Sequence, residues 1–415
     1  MNARRVVVTG LGVISPVGNS KDVAWPAVLE GRSGIGTIES FDTSAFDVHI
    51  AGEVKDFDPL TTFTKRELGR LDRFVQFAVV VAETAIAESG LDLDQVDHER
   101  VGVMFGTGIG GLHEIEAQHS RLLNSGPGRT SPLMIPKLMT NAAPGQIAMR
   151  NGLYGPSMSV SSACASASHA IGEAVLCVRH GRADVVISGG AEAAITPMGV
   201  SGFQQSKALS TRNDDPKAAS RPFDVNRDGF VMAEGAACLV LESFEHAQAR
   251  GAHILAELSG YGASTDAYHV TLPDPEGRGA VRAMRNALAD ASLNPEDVDY
   301  VSAHGTSTPA GDDVEAKAIC KFFGDHAYRL AVSSSKSVFG HILGASGAVE
   351  SAVCIWAMQD NVCPPTINLD DPDPECCGLN FVPKTAQERP LNVVLNNSFG
   401  FGGHNASLLF RKFTG

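Results

Sequence analysis

The sequence of 415 residues lacks any Cys-x-x-Cys pair, although it contains eight cysteines, and this excludes the commonest zinc and thiol-redox motifs. Positive charge is scarce: 33 Lys and Arg residues stand against 47 Asp and Glu residues, which gives a net charge of −14. Because nucleic-acid-binding proteins present a basic face, this balance disfavours that class. No apolar run reaches the roughly 18 residues that a membrane span requires.

The residues that are present favour a large folded core. Hydrophobic residues make up 43% of the chain and charged residues only 19%, whereas a disordered chain is poorer in apolar and richer in charged residues. The cysteines are scattered through apolar segments, which is typical of buried free thiols in a reducing cytosol, so we expect a cytoplasmic protein. The apolar start is predicted to be a first β-strand rather than a signal peptide, because Gly10, Gly12 and Pro16 interrupt it.

Short β-branched runs alternate with Ala-rich stretches, and this alternation predicts an α/β protein with covered sheets. The predicted strands are Arg5–Thr9, Val101–Phe105, Ser157–Ser161, Val185–Ser188, Ala236–Glu242, Tyr300–Ala303, Leu330–Ser333, Asn392–Asn396 and Ala406–Phe410. The predicted helices are Arg70–Ser89, Ala165–His180, Gly279–Ala291 and Gly344–Gln359. A seam near Gly251–Gly260 divides the chain into two predicted domains, residues 1–255 and residues 256–415.

Two motifs resemble ligand sites but fit them poorly. The segment Gly106–Gly111 matches GxGxxG and would suit a nucleotide-binding oxidoreductase. A polar stretch and a Gly/Pro loop follow it instead of the expected helix and strand, so we predict a tight loop where the backbone approaches another group. The segment Asp224–Gly229 resembles the start of a calcium loop, but its twelfth position is Gly235 rather than Glu, which predicts a charged turn.

Three side chains in Gly- and Ser-rich turns are candidates for chemistry. Cys164 lies between a predicted strand and a predicted helix, where the helix N-terminus should lower the pKa of the thiol; a buried structural cysteine is the alternative. His304 follows a strand, and His341 lies between glycines, with Lys336 five residues before it. Backbone-bonded or core imidazoles are the alternatives for the two histidines.

Together these residues predict thiolate chemistry assisted by two imidazoles. A thiol protease would use one histidine as its base, with an Asn or Asp to orient it. Two neutral imidazoles could instead donate N–H bonds to a developing enolate oxygen. A nearby cation such as Lys336 favours this second arrangement, because it disfavours the imidazolium form.

A further motif, Asn397–Asn405, places three glycines around Phe401. Such a segment could act as a mobile gate over an apolar tunnel, with a free backbone N–H for an oxyanion. The alternative is a hairpin whose phenylalanine fills the core.

Four motifs, Ser161–Ser166, His304–Pro309, Lys336–Ala345 and Ser398–Gly403, resemble the active-site motifs of the β-ketoacyl-acyl-carrier-protein synthases. The chain is most similar to the type II elongating condensing enzymes of fatty-acid synthesis, and the resemblance extends from Val8 to Phe410. It implies a thiolase fold with five αβαβα layers, two pseudo-symmetric mixed-sheet halves and a homodimer. The N-terminal half would carry the nucleophile, and the C-terminal half would carry both histidines and the gating loop.

The resemblance implies a decarboxylative Claisen condensation of acyl-cysteine with malonyl-acyl carrier protein, which gives a β-ketoacyl-acyl carrier protein and CO₂. A polyketide-type ketosynthase would share the same motifs. No cofactor and no metal are implied, because phosphopantetheine arrives on the carrier protein. The implied partners are acyl carrier protein and malonyl-acyl carrier protein, with no nucleic acid and no membrane.

Individual roles are implied by the same resemblance. Cys164 matches the acylated nucleophile, His304 and His341 match the pair that supports decarboxylation, and Lys336 matches the lysine that orders the site. The backbone N–H groups of Cys164 and Phe401 match the oxyanion hole, and Phe401 also matches the gate. The implied substrate-binding residues are Thr306, Thr308, Ile109, Met134, Phe399, Gly400 and Gly402, and the implied carrier-docking cations are Lys65, Arg66, Arg70, Arg73 and Lys207.

Three positions depart from the usual pattern of the family. His404 replaces the Thr common in bacterial members, Phe339 occupies a position that is usually small or hydroxylated, and Met134 replaces an aromatic residue more usual in type II enzymes. Met134 and Phe339 therefore leave the acyl chain length and the size of the malonyl site open.

Overall fold

The computed structural model describes residues 4–414. The strands are β1 (Val6–Ile14), β2 (Gly36–Thr37), β3 (Ile50–Ala51), β4 (Val101–Gly106), β5 (Ser157–Val160), β6 (Val185–Glu192), β7 (Gly235–Ser243), β8 (Ala256–Thr265), β9 (Tyr300–Ser302), β10 (Ala331–Ser333), β11 (Val362–Cys363), β12 (Gln387–Glu388), β13 (Val393–Gly400) and β14 (His404–Arg411). The α-helices are α1 (Lys21–Leu29), α2 (Lys65–Leu68), α3 (Arg73–Ser89), α4 (Leu112–Ser125), α5 (Met134–Leu138), α6 (Ala142–Asn151), α7 (Ser166–Arg179), α8 (Pro197–Gln205), α9 (Phe244–Ala249), α10 (Arg278–Asp290), α11 (Pro309–Phe323), α12 (Lys336–Phe339) and α13 (Ser346–Asp360).

One ten-stranded mixed sheet contains the same arrangement twice. Its order is β10-β9-β13-β14-β8-β1-β7-β6-β4-β5, so the first and last five strands mirror each other about the β8–β1 pair. In the N-terminal half, β4 is parallel to β5 and β6, and β7 is antiparallel to β6 and β1. In the C-terminal half, β9 is parallel to β10 and β13, and β14 is antiparallel to β13 and β8. The two halves are therefore pseudo-symmetric, as the resemblance implied.

The helices complete five layers. α3 and α6 cover the outer face of the N-terminal half-sheet, and α10 and α11 lie on the outer side of the C-terminal half. The helices α7 and α13 contact strands of both halves, so they form the central layer of the molecule. A helix enclosed between the two halves of the sheet must be apolar on all sides. Thirteen of the fifteen residues of α13 are buried.

Paired glycines let each half-sheet approach its outer helix. A Cβ atom on Gly12 of β1 would lie 2.1 Å from the carbonyl oxygen of Val81 in α3, and a Cβ atom on Gly262 of β8 would lie 2.1 Å from the carbonyl oxygen of Ala283 in α10. Gly10 and Gly260 make the equivalent approaches two residues earlier. The segments Gly10–Gly12 and Gly260–Gly262 are therefore equivalent positions of the repeat.

The nine predicted strands and the four predicted helices are all present, with ends that differ by a few residues. The first strand continues to Ile14 through Gly10 and Gly12, because it pairs along its length with β7 past an irregularity between Val8 and Gly10. No helix within residues 4–414 is long and apolar enough to cross a bilayer. All eight cysteines are free thiols.

The polar stretch after Gly106–Gly111 was expected not to be a helix, and this expectation was wrong, because it forms helix α4. Its buried side chains include Glu114 and Gln118, so the apolar period that normally marks a helix is hidden. The calcium-like segment is a charged turn, as predicted. The carboxylate of Asp224 is bound by Arg221 at 3.0 Å and accepts backbone N–H bonds from residues 226, 370 and 371.

Candidate active site

Cys164 lies on a strained elbow between β5 and the central helix α7. The residue before it, Ala163, has a φ of 51°, in the left-handed region that costs a non-glycine residue about 1–3 kcal/mol. Ser166 holds this conformation, because its hydroxyl donates to the carbonyl of Ala163 at 2.6 Å and accepts the N–H of Ser162 at 2.9 Å. The elbow therefore places the thiol at the N-terminal side of a buried helix.

His304 is fixed by an acidic side chain from α11. It follows β9, and the carboxylate of Glu315 accepts the backbone N–H groups of His304 at 2.8 Å and Gly305 at 2.7 Å. Burial raises the pKa of Glu315 to about 7, although these N–H bonds oppose the shift. The His304 ring is buried, and its Nδ1 has no hydrogen-bond partner.

His341 lies in the turn between α12 and α13. Its Nδ1 is hydrogen-bonded to the hydroxyl of Ser346 at 2.8 Å, and its backbone N–H donates to the carbonyl of Val231 at 2.8 Å. The other ring nitrogen, Nε2, is buried and has no partner. The ring is therefore held at one end and leaves its second nitrogen free.

The three side chains meet. The sulfur of Cys164 and one ring nitrogen from each of His304 and His341 all lie within 4.8 Å of one another. The two rings are nearly perpendicular, with centroids 5.3 Å apart. Sulfur and imidazole nitrogen are also zinc ligands, so within residues 4–414 this triad is where such an ion would bind.

The electrostatic environment keeps both imidazoles uncharged. Burial lowers the pKa of His304 and of His341 well below the usual range, and the Lys336 ammonium lowers both further. Lys336 is itself completely buried and forms an ion pair with Glu350 of α13. Burial raises the pKa of Glu350 to about 7, against the opposing effect of the lysine. Each histidine is therefore neutral at physiological pH, with one N–H available to donate.

The predicted lowering of the Cys164 pKa was wrong for this unliganded site. Burial raises the pKa of the thiol to about 11, and this outweighs the opposing effects of the Phe401 N–H and of Lys336. The charge of Glu192 raises it further. The resting site therefore holds a thiol, and the N–H group of Phe401 and the charge of Lys336 reduce the cost of ionisation without overcoming it.

The backbone N–H groups of Phe401 and Cys164 both point at the sulfur. They can do so because the chain passes very close at Gly400, where a Cβ atom would lie 3.1 Å from the Cys164 nitrogen. Two converging N–H donors beside a nucleophile are the geometry of an oxyanion hole.

Cys164, His304 and His341 lie in the wall of a cavity of about 320 Å³. Of the predicted substrate-binding residues, Thr306, Thr308, Phe399 and Gly400 also line it, together with the predicted gate Phe401. The hydroxyls of Thr306 and Thr308 lie 3.0 Å apart on one side of the opening. Gly402 lies behind the gate and donates its N–H to the carbonyl of Val270.

The two predicted acyl-pocket residues do not line this cavity in the single chain. Ile109 lies in the loop after β4, and Met134 begins α5 with a half-exposed side chain. Of the predicted docking cations, Lys207 lies in the wall of the cavity, whereas Arg73 forms an ion pair with Glu234. Within residues 4–414 the other predicted docking cations are exposed and form no ion pair: Lys65, Arg66 and Arg70.

Three buried acids at the site were missed from the sequence: Glu192, Glu315 and Glu350. Glu192 and Glu350 stand in segments rich in small or apolar residues, where a carboxylate requires a buried partner, whereas Glu315 stands in a segment of mixed polarity. That signal was available for Glu350, which lies in the middle of the Ala- and Val-rich helix α13. Helix α11, which carries Glu315, was also missed, although Pro309 at its first position is a common helix start.

The GxGxxG segment is a close-approach loop, as predicted. A Cβ atom on Gly106 would lie 2.4 Å from the backbone of α7, and one on Gly111 would lie 2.6 Å from Leu138. The N–H group of Gly108 is used by the carboxylate of Glu192. The loop is therefore packed against the protein, and nothing in this geometry favours a dinucleotide.

This fold and site define a ketosynthase-type thiolase-fold enzyme. The family model of the β-ketoacyl synthase N-terminal domain matches residues 3–247, and that of the C-terminal domain matches residues 255–370. The chain belongs to the β-ketoacyl synthase family.

Known relatives cover the whole chain. It is 51% identical over 412 residues to 3-oxoacyl-[acyl-carrier-protein] synthase 2 of Coxiella burnetii, and the aligned region covers 99% of both chains. The protein of the same name from Synechocystis is 50% identical and covers 100% of this chain and 99% of its own. Among solved structures, a β-ketoacyl synthase from Burkholderia phymatum has a TM-score of 0.93 at 36% identity and covers 99% of this chain and 100% of its own. A type II polyketide ketosynthase solved with its acyl-carrier protein has a TM-score of 0.92 at 34% identity, with the same coverage.

We predict that Lys336→Met slows alkylation of Cys164. Removal of the ammonium takes away a charge that favours the thiolate, so the pKa of the thiol should rise and the alkylation rate should fall about tenfold for each pKa unit. The measurement is iodoacetamide labelling followed by intact mass over a range of pH. Lys317→Met, which removes an exposed lysine on α11, is the control. An unchanged or faster rate in Lys336→Met would contradict the electrostatic role.

Proposed function

We propose that this protein is the elongating condensing enzyme of fatty-acid synthesis, a 3-oxoacyl-[acyl-carrier-protein] synthase of type II. The observation that carries the proposal is the convergence of one thiol and two uncharged imidazoles within 4.8 Å at the wall of a cavity. Relatives of that name are 50–51% identical in sequence to the chain over 99–100% of its length.

In the first half-reaction, the sulfur of Cys164 attacks the carbonyl carbon of an acyl-carrier thioester. A bond forms between this sulfur and the acyl carbon, and the bond between the acyl carbon and the carrier's sulfur breaks. The thiol proton leaves Cys164 and ends on the released carrier thiol. The N–H groups of Cys164 and Phe401 stabilise the oxyanion of the tetrahedral intermediate.

In the second half-reaction, malonyl-carrier binds beside the acylated cysteine. The bond to its terminal carboxylate breaks, CO₂ leaves, and the electron pair passes to the thioester carbonyl to form an enolate. His304 and His341 each donate a hydrogen bond to that oxygen, and because both rings are neutral they stabilise the enolate without transferring a proton to it, as an imidazolium would. The enolate carbon then attacks the acyl carbonyl, the bond between the acyl carbon and the sulfur of Cys164 breaks, and the departing thiolate takes up a proton from solvent to restore the resting thiol.

A polyketide-type ketosynthase is the second candidate, since a polyketide enzyme shares the fold at 34% identity. The fatty-acid role is favoured because relatives with that name are 50–51% identical over the same length. Thr306 and Thr308 are proposed to contact pantetheine, and Ile109 and Met134 the acyl chain, with Met134 reaching into a partner subunit of a homodimer. We also propose that the two domains meet between residues 255 and 256 and that the protein is cytoplasmic.

The proposed partner is acyl carrier protein, because the phosphopantetheine thioester reaches the cavity on it. One structural neighbour is a ketosynthase in complex with such a carrier. The exposed cations Lys65, Arg66 and Arg70, together with Lys207 at the cavity, are proposed to bind its acidic surface.

We predict that the charge reversals Lys65→Glu and Arg66→Glu weaken carrier binding, chiefly through slower association, and reduce its sensitivity to salt. The measurement is carrier affinity against ionic strength. Lys321→Glu, at the far end of α11, is the control for the change in net charge. A wild-type affinity that does not vary with salt would rule out this docking surface.

The function itself is tested by intact-mass measurement after mixing with acyl-carrier substrates of several lengths. We predict an acyl adduct on the wild type and none on Cys164→Ala. His304→Ala should still accept the acyl group, but its rate of malonyl decarboxylation should fall about 100-fold or more, because one hydrogen-bond donor to the enolate oxygen is gone. Loss of acylation in His304→Ala would reassign that histidine, and an adduct on Cys164→Ala would refute the nucleophile.

A further inference from the structure

Glu192, the last residue of β6, is a completely buried carboxylate that accepts four hydrogen bonds. Its Oε1 accepts from the hydroxyl of Thr107 at 2.9 Å and from the N–H of Ile109 at 3.2 Å. Its Oε2 accepts from the N–H of Gly108 at 2.7 Å and from the N–H of Gly344 at 2.9 Å. None of the reaction steps above uses this side chain.

Burial raises the pKa of Glu192, and the four donors oppose this shift because they favour the ionised form. Three of them are backbone N–H groups, which cannot accept, and an ionised carboxylate is the acceptor-only form of the side chain. A protonated Glu192 would direct its own O–H at one of these donors and lose a bond. These donors therefore stabilise a negative charge on a buried carboxyl group next to the catalytic cavity.

This carboxylate joins two segments that come from different halves of the chain. Thr107 to Ile109 form the loop after β4, whereas Gly344 comes three residues after His341. The two segments touch: a Cβ atom on Gly344 would lie 2.2 Å from the nitrogen of Gly108 and 2.6 Å from Oε2 of Glu192. Only glycine at both positions allows one carboxylate to bind both loops.

Glu192 also acts on the nucleophile through its charge. It is the one acid among the charged groups that shift the Cys164 thiol, and it opposes ionisation, whereas Lys336 favours it. The other titratable groups that face the sulfur are His304 and His341, which are uncharged. Removing the charge of Glu192 should therefore make Cys164 easier to ionise.

We propose that Glu192 is a positioning residue that fixes the loop of Ile109 against the turn that follows His341. Through this one side chain, it sets the positions of the acyl-chain wall and of the decarboxylation site relative to Cys164. The inference rests on the proposed function for its substrate, because Ile109 is proposed to contact the acyl chain. Its charge gives it a second signature that does not depend on any substrate.

The test variant is Glu192→Gln, which keeps the shape and removes the charge. Whichever oxygen becomes nitrogen, at least one backbone N–H group then faces a donor: those of Gly108 and Gly344 at the position of Oε2, or that of Ile109 at the position of Oε1. Glu242→Gln is the matched control, since Glu242 is also fully buried in a strand of the same sheet but binds Arg250 and His246 at the opposite end. The readouts are the pH profile of Cys164 alkylation and the acylation rates with a long-chain and a short-chain acyl carrier.

In Glu192→Gln we expect the alkylation profile to move to lower pH and the long-chain acylation rate to fall roughly 10- to 100-fold, more than the short-chain rate. Glu242→Gln should leave both unchanged. Thr107→Val removes one donor but keeps the charge, so it should alter the ratio of long- to short-chain rates without moving the profile. It also serves as the test should Glu192→Gln not fold.

The proposal is overturned if both readouts of Glu192→Gln match those of Glu242→Gln, or if Thr107→Val leaves the chain-length ratio at the wild-type value. A wild type that accepts no acyl group would instead refute the proposed function. In that case the alkylation profile of Glu192→Gln, which needs no substrate, still decides the electrostatic part of the inference.

Discussion

The chemistry of this site depends on two imidazoles that are kept uncharged beside a thiol. Burial and the ammonium of Lys336 together disfavour a positive charge on His304 and His341, so each ring can donate an N–H bond where a negative charge forms. The same lysine favours ionisation of Cys164. A lysine that is fully buried needs a partner, and Glu350 of the central helix provides it.

The repeated half-sheets bring these groups together. The N-terminal half supplies the elbow of Cys164 and the central helix α7, and the C-terminal half supplies both histidines and the central helix α13. Because both central helices contact both half-sheets, the thiol and the imidazoles meet at the boundary between the halves. The close approaches at Gly344 and Gly400 then bring loops from the C-terminal half within bonding distance of the N-terminal half.

The strands, the two central helices and the cluster of one cysteine with two histidines could be predicted from the sequence because each has a local signal. Strands such as β6 are short apolar runs, and Cys164, His304 and His341 stand in recognisable Gly- and Ser-rich turns. Helix α4 could not, since it buries Glu114 and Gln118 on the face that is normally apolar, whereas α11 was missed although Pro309 marks its start. The raised pKa of Cys164 could not be predicted either, because it results from burial in the folded protein, which outweighs the opposing effects of the Phe401 N–H and of Lys336.

The central claim is that both active-site imidazoles are neutral, and nitrogen-15 NMR of histidine-labelled protein tests it most directly. The His304→Ala and His341→Ala variants would assign the two signals among the 13 histidines. We predict that both rings keep the shifts of a neutral imidazole throughout the range of about pH 5 to 8, in which an exposed histidine titrates. If either ring became protonated with a pKa near that of an exposed histidine, the account of how the enolate is stabilised would be contradicted.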